Sequence, residues 1–114
     1  MPKTTSDFCR SLAERFSALA PLLREHLRDN DELLPHIFLA DVTRHVKKNG
    51  LEHSAIVTCL DNAFANEGPD VEDLIAVSFV EYLGSQDELA QVTDGITADH
   101  ICEEWYRQAD SKKR

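Results

Sequence analysis

Three side chains on one stretch of the chain, His36, Asp41 and His45, have the types from which metal sites are made. The spacing from Asp41 to His45 places a carboxylate and an imidazole on the same face of a helix. A zinc site needs at least three protein ligands, however, and no histidine pair with an intervening glutamate is present. The spacing suits equally well a surface ion pair of Asp41 with Arg44 or His45. We predict no metal site, and a small metal-dependent enzyme remains a third hypothesis for the function.

Other catalytic arrangements are missing from the sequence. The four glycines all lie where helices are expected to end, so none belongs to a phosphate-binding loop. A nucleophile needs a positioned base, and Ser54, Cys59 and Ser78 lie in no such context. Neighbouring carboxylates such as Glu72 and Asp73 point in different directions on a helix and do not form an acid/base pair. We therefore predict a protein that is not an enzyme and that needs no cofactor.

The charge of the chain restricts its partners. Its 114 residues carry a formal net charge of -9, with an estimated pI of about 4.9. An acidic surface is repelled by the phosphates of nucleic acids and by anionic membranes, so a basic protein is the favoured partner.

The chain has neither an apolar run long enough to span a bilayer nor a signal peptide, which predicts a cytoplasmic protein. Three widely spaced cysteines, Cys9, Cys59 and Cys102, are expected to be buried thiols rather than disulfides.

Apolar residues recur every three or four positions, which is typical of helices with one buried face. Prolines, glycines and polar clusters divide this pattern into expected helices at residues 7–20, 21–27 (a kinked continuation or a new helix), 35–48, 51–64, 70–83 and 97 onward, with a short helical turn near 89–92. The expected N-caps are Ser6, Asp70 and Thr97. The last helix has Ile101, Trp105 and Ala109 on one face.

This pattern predicts an all-α fold, an irregular bundle or a stack of helical hairpins with five to six short helices. Residues 1–114 are expected to form one domain, whose basic tail at 110–114 frays. His26, His53 and His100 have polar neighbours and are expected to be solvated or to act as caps. Whether the protein is a monomer or a homodimer stays open.

Acidic residues concentrate in the expected turns and first helical turns. The candidates for a partner-binding face are Asp31, Glu32, Glu67, Asp70, Glu72 and Asp73. Asp87 and Glu88 form a further acidic pair. Negative charge at the start of a helix is stabilised by the helix dipole, which is a structural explanation. The functional alternative is an electrostatic field that steers a basic protein into contact.

Two stretches resemble a little-characterised family of small, acidic, all-helical bacterial proteins that includes immunity proteins of polymorphic or contact-dependent toxin systems. They are ELLPH at 32–36 with ADVTR at 40–44, and VEDLIAVSFVE at 71–81. The resemblance covers residues 30–83. It implies stoichiometric inhibition, in which the acidic face covers the basic active-site groove of a cognate toxin, a nuclease. The alternative is a non-enzymatic adaptor or regulatory module that binds another protein.

Overall fold

The computed structural model describes residues 4–112 and contains helices and turns but no strand over that range. The α-helices are α1 Thr5–Arg15, α2 Ala20–Asn30, α3 Pro35–Lys47, α4 His53–Asn66, α5 Pro69–Ser78, α6 Gln86–Val92 and α7 Asp99–Lys112, with 3-10 turns at Ser17–Leu19 and Val80–Tyr82. The all-α class is confirmed, and the described residues form seven α-helices rather than five or six. Over the same range, every helix is too short or too polar to span a lipid bilayer.

The first half of the chain departs from the expected helix ends. Helix α1 is capped by Thr4 instead of Ser6, because the Thr4 hydroxyl accepts a hydrogen bond from the Asp7 N–H at 3.1 Å. It ends at Arg15 instead of near residue 20, since Phe16 takes an extended conformation and is buried. A new helix follows, with Pro21 in its first turn. Residues 28–30, expected to form a turn, are still helical.

The chain reverses at three non-glycine residues in the left-handed conformation. Asp31 (φ 62°) ends α2, Asn49 (φ 56°) follows α3, and Glu52 (φ 63°) precedes α4. The Asn49-Gly50 stop agrees with the sequence pattern. Gly50 has a further reason to be glycine, because a Cβ atom there would collide with the His45 imidazole.

The later helices also begin and end at unexpected positions. Helix α5 has Gly68 as its N-cap, so Asp70 lies inside the first turn and does not cap the helix. It stops at Ser78, because the backbone of Phe79 leaves the helical region, and a 3-10 turn follows. The change of direction buries Phe79 completely.

Helix α7 begins two residues after the predicted cap Thr97 and continues to Lys112, so residues 110–112 of the expected frayed tail are helical. Lys113 and Arg114 lie outside the described residues.

The core is centred on α3, which packs against α1, α2, α4 and α5. Its apolar face is fully buried and consists of Phe38, Leu39, Val42 and Val46. Where α3 crosses α5, the Thr43 hydroxyl lies 2.8 Å from the Leu39 carbonyl and 2.9 Å from the Ser78 carbonyl. A buried hydroxyl is tolerated here because it is hydrogen-bonded.

His26 is buried, contrary to the expected exposure, with 3% of its surface accessible. Its Nε2 atom accepts the N–H of Leu34 at 2.9 Å, and its ring meets the edge of Phe38 with centroids 5.9 Å apart. The backbone N–H of Leu34 lies just before α3 and finds its partner in this side chain. His26 therefore joins the end of α2 to the start of α3.

The three cysteines form no disulfide. Cys9 is buried, as expected, and desolvation raises its pKa to about 12, so it is a neutral thiol of the core. Cys59 and Cys102 are half-buried. Burial, followed by the nearby carboxylates Asp61 and Asp99, raises the pKa of Cys102.

A buried carboxylate on α4 holds the start of α7. Asp61 is 6% exposed, and its Oδ1 atom accepts the backbone N–H of Ile101 at 2.9 Å. This N–H belongs to the first turn of α7, where backbone donors have no partner within the helix. A side chain from another helix thus acts as the cap that the sequence pattern assigned to Thr97.

Helix α3 is connected to the start of α6 by an ion pair. Lys47 Nζ lies 2.9 Å from Glu88 Oε1 and 3.0 Å from the Tyr82 carbonyl, and Glu88 Oε2 accepts the Gly84 N–H at 3.0 Å. The hydrogen bond from Lys47 and then that from Gly84 lower the pKa of Glu88. This carboxylate therefore stabilises the fold.

We expect Asp61→Ala to lower the free energy of unfolding by about 1–3 kcal/mol, because a buried backbone N–H then loses its acceptor. Asp61→Asn keeps an acceptor oxygen and should have a smaller effect. Urea denaturation followed by circular dichroism measures both changes. Asn62→Ala, at the exposed neighbouring position of the same helix, is the matched control, and an equal loss in this control would contradict the capping role.

We expect Glu88→Gln to destabilise the protein at neutral pH but not at strongly acidic pH. A carboxylate whose pKa is lowered by folding adds stability above its unfolded-state pKa, and this stability is lost as the pH falls through the folded-state pKa. Denaturation curves of the wild type and the variant should therefore converge on acidification. Asp87→Asn is the control, and a Glu88→Gln difference that is independent of pH would exclude the ionic contribution.

Candidate functional site: the face of α5 and α7

The three candidate metal ligands make separate contacts. His36 Nδ1 lies 2.7 Å from the Ser78 hydroxyl, His45 Nε2 lies 2.9 Å from the Leu51 carbonyl, and Asp41 pairs with Arg44. Within the described part of the chain, no group of three or more His, Cys, Asp or Glu side chains is placed to hold a metal ion. The surface ion pair is thus the arrangement that Asp41 adopts.

Asp41 and His45 border a cleft of about 420 Å³ between α2 and α3. The cleft is of mixed charge: Glu25 and Asp29 line its α2 wall, and Asp41, Arg44 and Lys48 line its α3 wall. Because anionic and cationic groups are nearly balanced here, this cleft offers little net field to a charged partner.

The six acidic residues proposed for partner binding lie in two places. Asp31 and Glu32 belong to the α2–α3 connection, whereas Glu67, Asp70, Glu72 and Asp73 surround the start of α5. Five are exposed and Glu67 is half-buried. Among the described residues, none of the six makes a side-chain hydrogen bond or an ion pair, in contrast to Asp61 and Glu88. Their charge therefore faces solvent without compensation.

A cleft of about 250 Å³ between α5 and α7 contains two of these residues, Glu72 and Asp73, together with Glu104 and Arg107. Glu104 is only 7% exposed and accepts two hydrogen bonds from Arg107, at 2.9 and 2.6 Å. Gln108 donates a third at 2.8 Å. The charge of Arg107 is thus neutralised by Glu104, which leaves Glu72 and Asp73 as the excess charge of the cleft.

Aromatic side chains continue the same surface along α7. Trp105 is half-buried and its indole N–H donates to the Leu83 carbonyl at 2.5 Å. Tyr106 is 50% exposed, and its hydroxyl accepts a hydrogen bond from Gln86 at 2.8 Å. Trp105 and Tyr106 line a second cleft, of about 600 Å³. Arg107 lies between the two clefts and lines both. The surface formed by Glu72, Asp73, Glu103, Trp105, Tyr106, Arg107 and Asp110 is called the α5–α7 face below.

The α5–α7 face combines unpaired carboxylates with rigidly held aromatic rings. Tyrosine, tryptophan and arginine are the residues that contribute most to the affinity of protein interfaces. Carboxylates around them supply electrostatic complementarity to a basic surface. The chemistry of this face therefore suits binding of a basic protein.

The sequence pattern identifies only two of the seven residues of this face as partner-binding candidates, Glu72 and Asp73. It places Trp105 on one face of the last helix with Ile101 and Ala109, and this side chain does pack against the core while remaining half-buried. Nothing in the pattern singles out Tyr106. The adjacency of Trp105 and Tyr106 does indicate that one ring is exposed. Consecutive residues on a helix point about 100° apart, so both cannot lie on one narrow buried stripe. The other four acidic candidates, Asp31, Glu32, Glu67 and Asp70, line neither of the two clefts that form the face.

Comparisons with curated proteins and with solved structures give no match. A family model does match, from residue 9 to residue 109, which extends well beyond the stretch 30–83 that carried the resemblance. The match agrees with a little-characterised family and says nothing of toxin neutralisation. The chain belongs to the DUF7674 family, a domain of unknown function.

Proposed function

We propose that this protein is an immunity protein that neutralises a cognate toxin, a nuclease, by covering its basic active-site groove with the α5–α7 face. The observation that carries the proposal is that two neighbouring clefts, which share Arg107, hold the carboxylates of Glu72 and Asp73 and the rings of half-buried Trp105 and exposed Tyr106. Among the described residues, neither carboxylate has an ionic partner. The protein acts by binding and performs no turnover.

Electrostatic attraction provides the encounter. A nuclease must present cations to the phosphates of its substrate. The net charge of -9 and the unpaired carboxylates of this chain attract the same cations. Long-range attraction of this kind raises association rates and is weakened by salt. The bound protein would then exclude the nucleic acid by occupying its site.

Affinity comes from a small number of desolvated contacts. Rim charges chiefly change the association rate, whereas aromatic and arginine side chains buried at the centre of an interface slow dissociation. Trp105 and Tyr106 already make hydrogen bonds to Leu83 and Gln86 within the protein. Little conformational freedom remains to be lost on binding, which favours a long-lived complex.

Co-expression with the product of the upstream reading frame tests the proposal. We expect a stable one-to-one complex on size-exclusion chromatography and restored growth of cells that produce the toxin. Absence of both binding and rescue would refute the immunity function. Binding to a basic protein without rescue of growth would support the adaptor alternative.

We expect the double variant Glu72→Gln/Asp73→Asn to associate with the toxin roughly 3–10-fold more slowly at low salt, with a smaller difference at high salt. Stopped-flow or surface-plasmon measurements at several salt concentrations provide the rates. Asp31→Asn/Glu32→Gln removes the same charge from the other acidic site and should have the smaller effect. Equal effects of the two variants would show that net charge, rather than the α5–α7 face, controls association.

A further inference from the structure

One stripe of α7 places an aromatic ring between two carboxylates. Glu103, Tyr106 and Asp110 are spaced by three and four residues, so they lie on the same side of the helix. All three are exposed, and all three line the cleft of about 600 Å³ that also contains Trp105 and Gln86. The two carboxylates are about 10 Å apart along the helix axis, one turn or so on either side of the ring.

The Tyr106 ring is held in place from two directions. Gln86, on the neighbouring helix α6, donates to its hydroxyl at 2.8 Å. Trp105 meets it edge to face, with centroids 5.1 Å apart and planes at 89°. A half-exposed ring that is already fixed loses little entropy when a ligand stacks on it.

The charge around this ring is also unbalanced. Within the described residues, neither Glu103 nor Asp110 forms an ion pair or a side-chain hydrogen bond. The nearby cation, Arg107, makes a two-pronged pair with Glu104 instead. A cationic group that approaches Tyr106 therefore meets two unmatched carboxylates and the negative face of an aromatic ring.

We propose that Glu103, Tyr106 and Asp110 form a receptor for an arginine side chain of the protein partner. The guanidinium group is planar, so it stacks on the Tyr106 ring, and its donors on both edges remain available to the two carboxylates. Lysine carries a point charge without a stacking plane and should bind more weakly. This inference rests on the proposed function only in assigning the arginine to a toxin.

The single tryptophan of the chain makes this site measurable. Because Trp105 contacts Tyr106, a ligand on the ring should change the intrinsic fluorescence of the protein. We expect a saturable change with the blocked peptide acetyl-Gly-Arg-Gly-amide, with a dissociation constant on the order of millimolar. The lysine peptide should bind several-fold more weakly, and the uncharged citrulline peptide should give no saturable change. Absence of saturation with the arginine peptide, or equal binding of citrulline, would overturn the proposal.

Two variants test the residues themselves. Tyr106→Leu removes the ring, and Glu103→Gln/Asp110→Asn removes both charges while preserving the ring and its contacts; each should weaken arginine binding at least fivefold. Tyr82→Leu is the control, because the Tyr82 ring is 49% exposed but lies outside the stripe. The melting temperature of each variant shows whether it is folded. If Tyr106→Leu is unfolded, the charge variant Glu103→Gln/Asp110→Asn alone tests the receptor. Unchanged binding by the charge variant would contradict the receptor.

The outcomes for receptor and function can be separated. If the wild-type protein rescues growth but does not bind the arginine peptide, the receptor is refuted and the immunity function stands. Arginine binding without any rescue would support the receptor and refute the toxin as its partner.

Discussion

The position of α7 depends on one buried carboxylate. Asp61, on α4, accepts the N–H of Ile101 in the first turn of α7, and Ile101 itself is fully buried. Trp105 is then fixed by the Leu83 carbonyl, and Gln108 by the Ala76 carbonyl at 3.1 Å. These contacts set the rotation of α7 about its axis. They therefore decide which of its side chains, among them Tyr106, face solvent.

Carboxylates serve two purposes in this protein. Asp61 and Glu88 connect helices that are distant in sequence, whereas Glu104 is hydrogen-bonded by Arg107 and Gln108 of its own helix. No buried side-chain nitrogen or oxygen of the described residues lacks a partner. Glu72 and Asp73 connect nothing and remain in solvent. A carboxylate that is paired inside the protein contributes little to a partner, since its charge is already matched. The unpaired group is the one available for recognition.

Contacts within the protein hold the side chains of the α5–α7 face in place. Arg107 is held by Glu104, and Tyr106 by Gln86, so the groups presented to a partner are already oriented. Like-charged or poorly shaped proteins would meet uncompensated carboxylates around fixed rings, which disfavours their binding. The selectivity that we propose for a basic protein would thus rest on contacts inside the fold.

The sequence by itself determined the all-α class, most of the helical segments and the acidic character of the surface, because helical periodicity and net charge are local or additive properties. For the same reason, Pro21 marked the start of a new helix and the Asn49-Gly50 pair the end of α3, although α1 already ends at Arg15. Only the tertiary structure decided that α5 stops at Ser78, that His26 is buried and that Asp61 caps α7. Those outcomes depend on contacts between residues up to 40 positions apart, such as Asp61 with Ile101. The placement of Glu72 and Asp73 near Trp105 and Tyr106 is of this kind, since it exists only when α7, packed against α4 and the Val80–Tyr82 turn, comes next to α5.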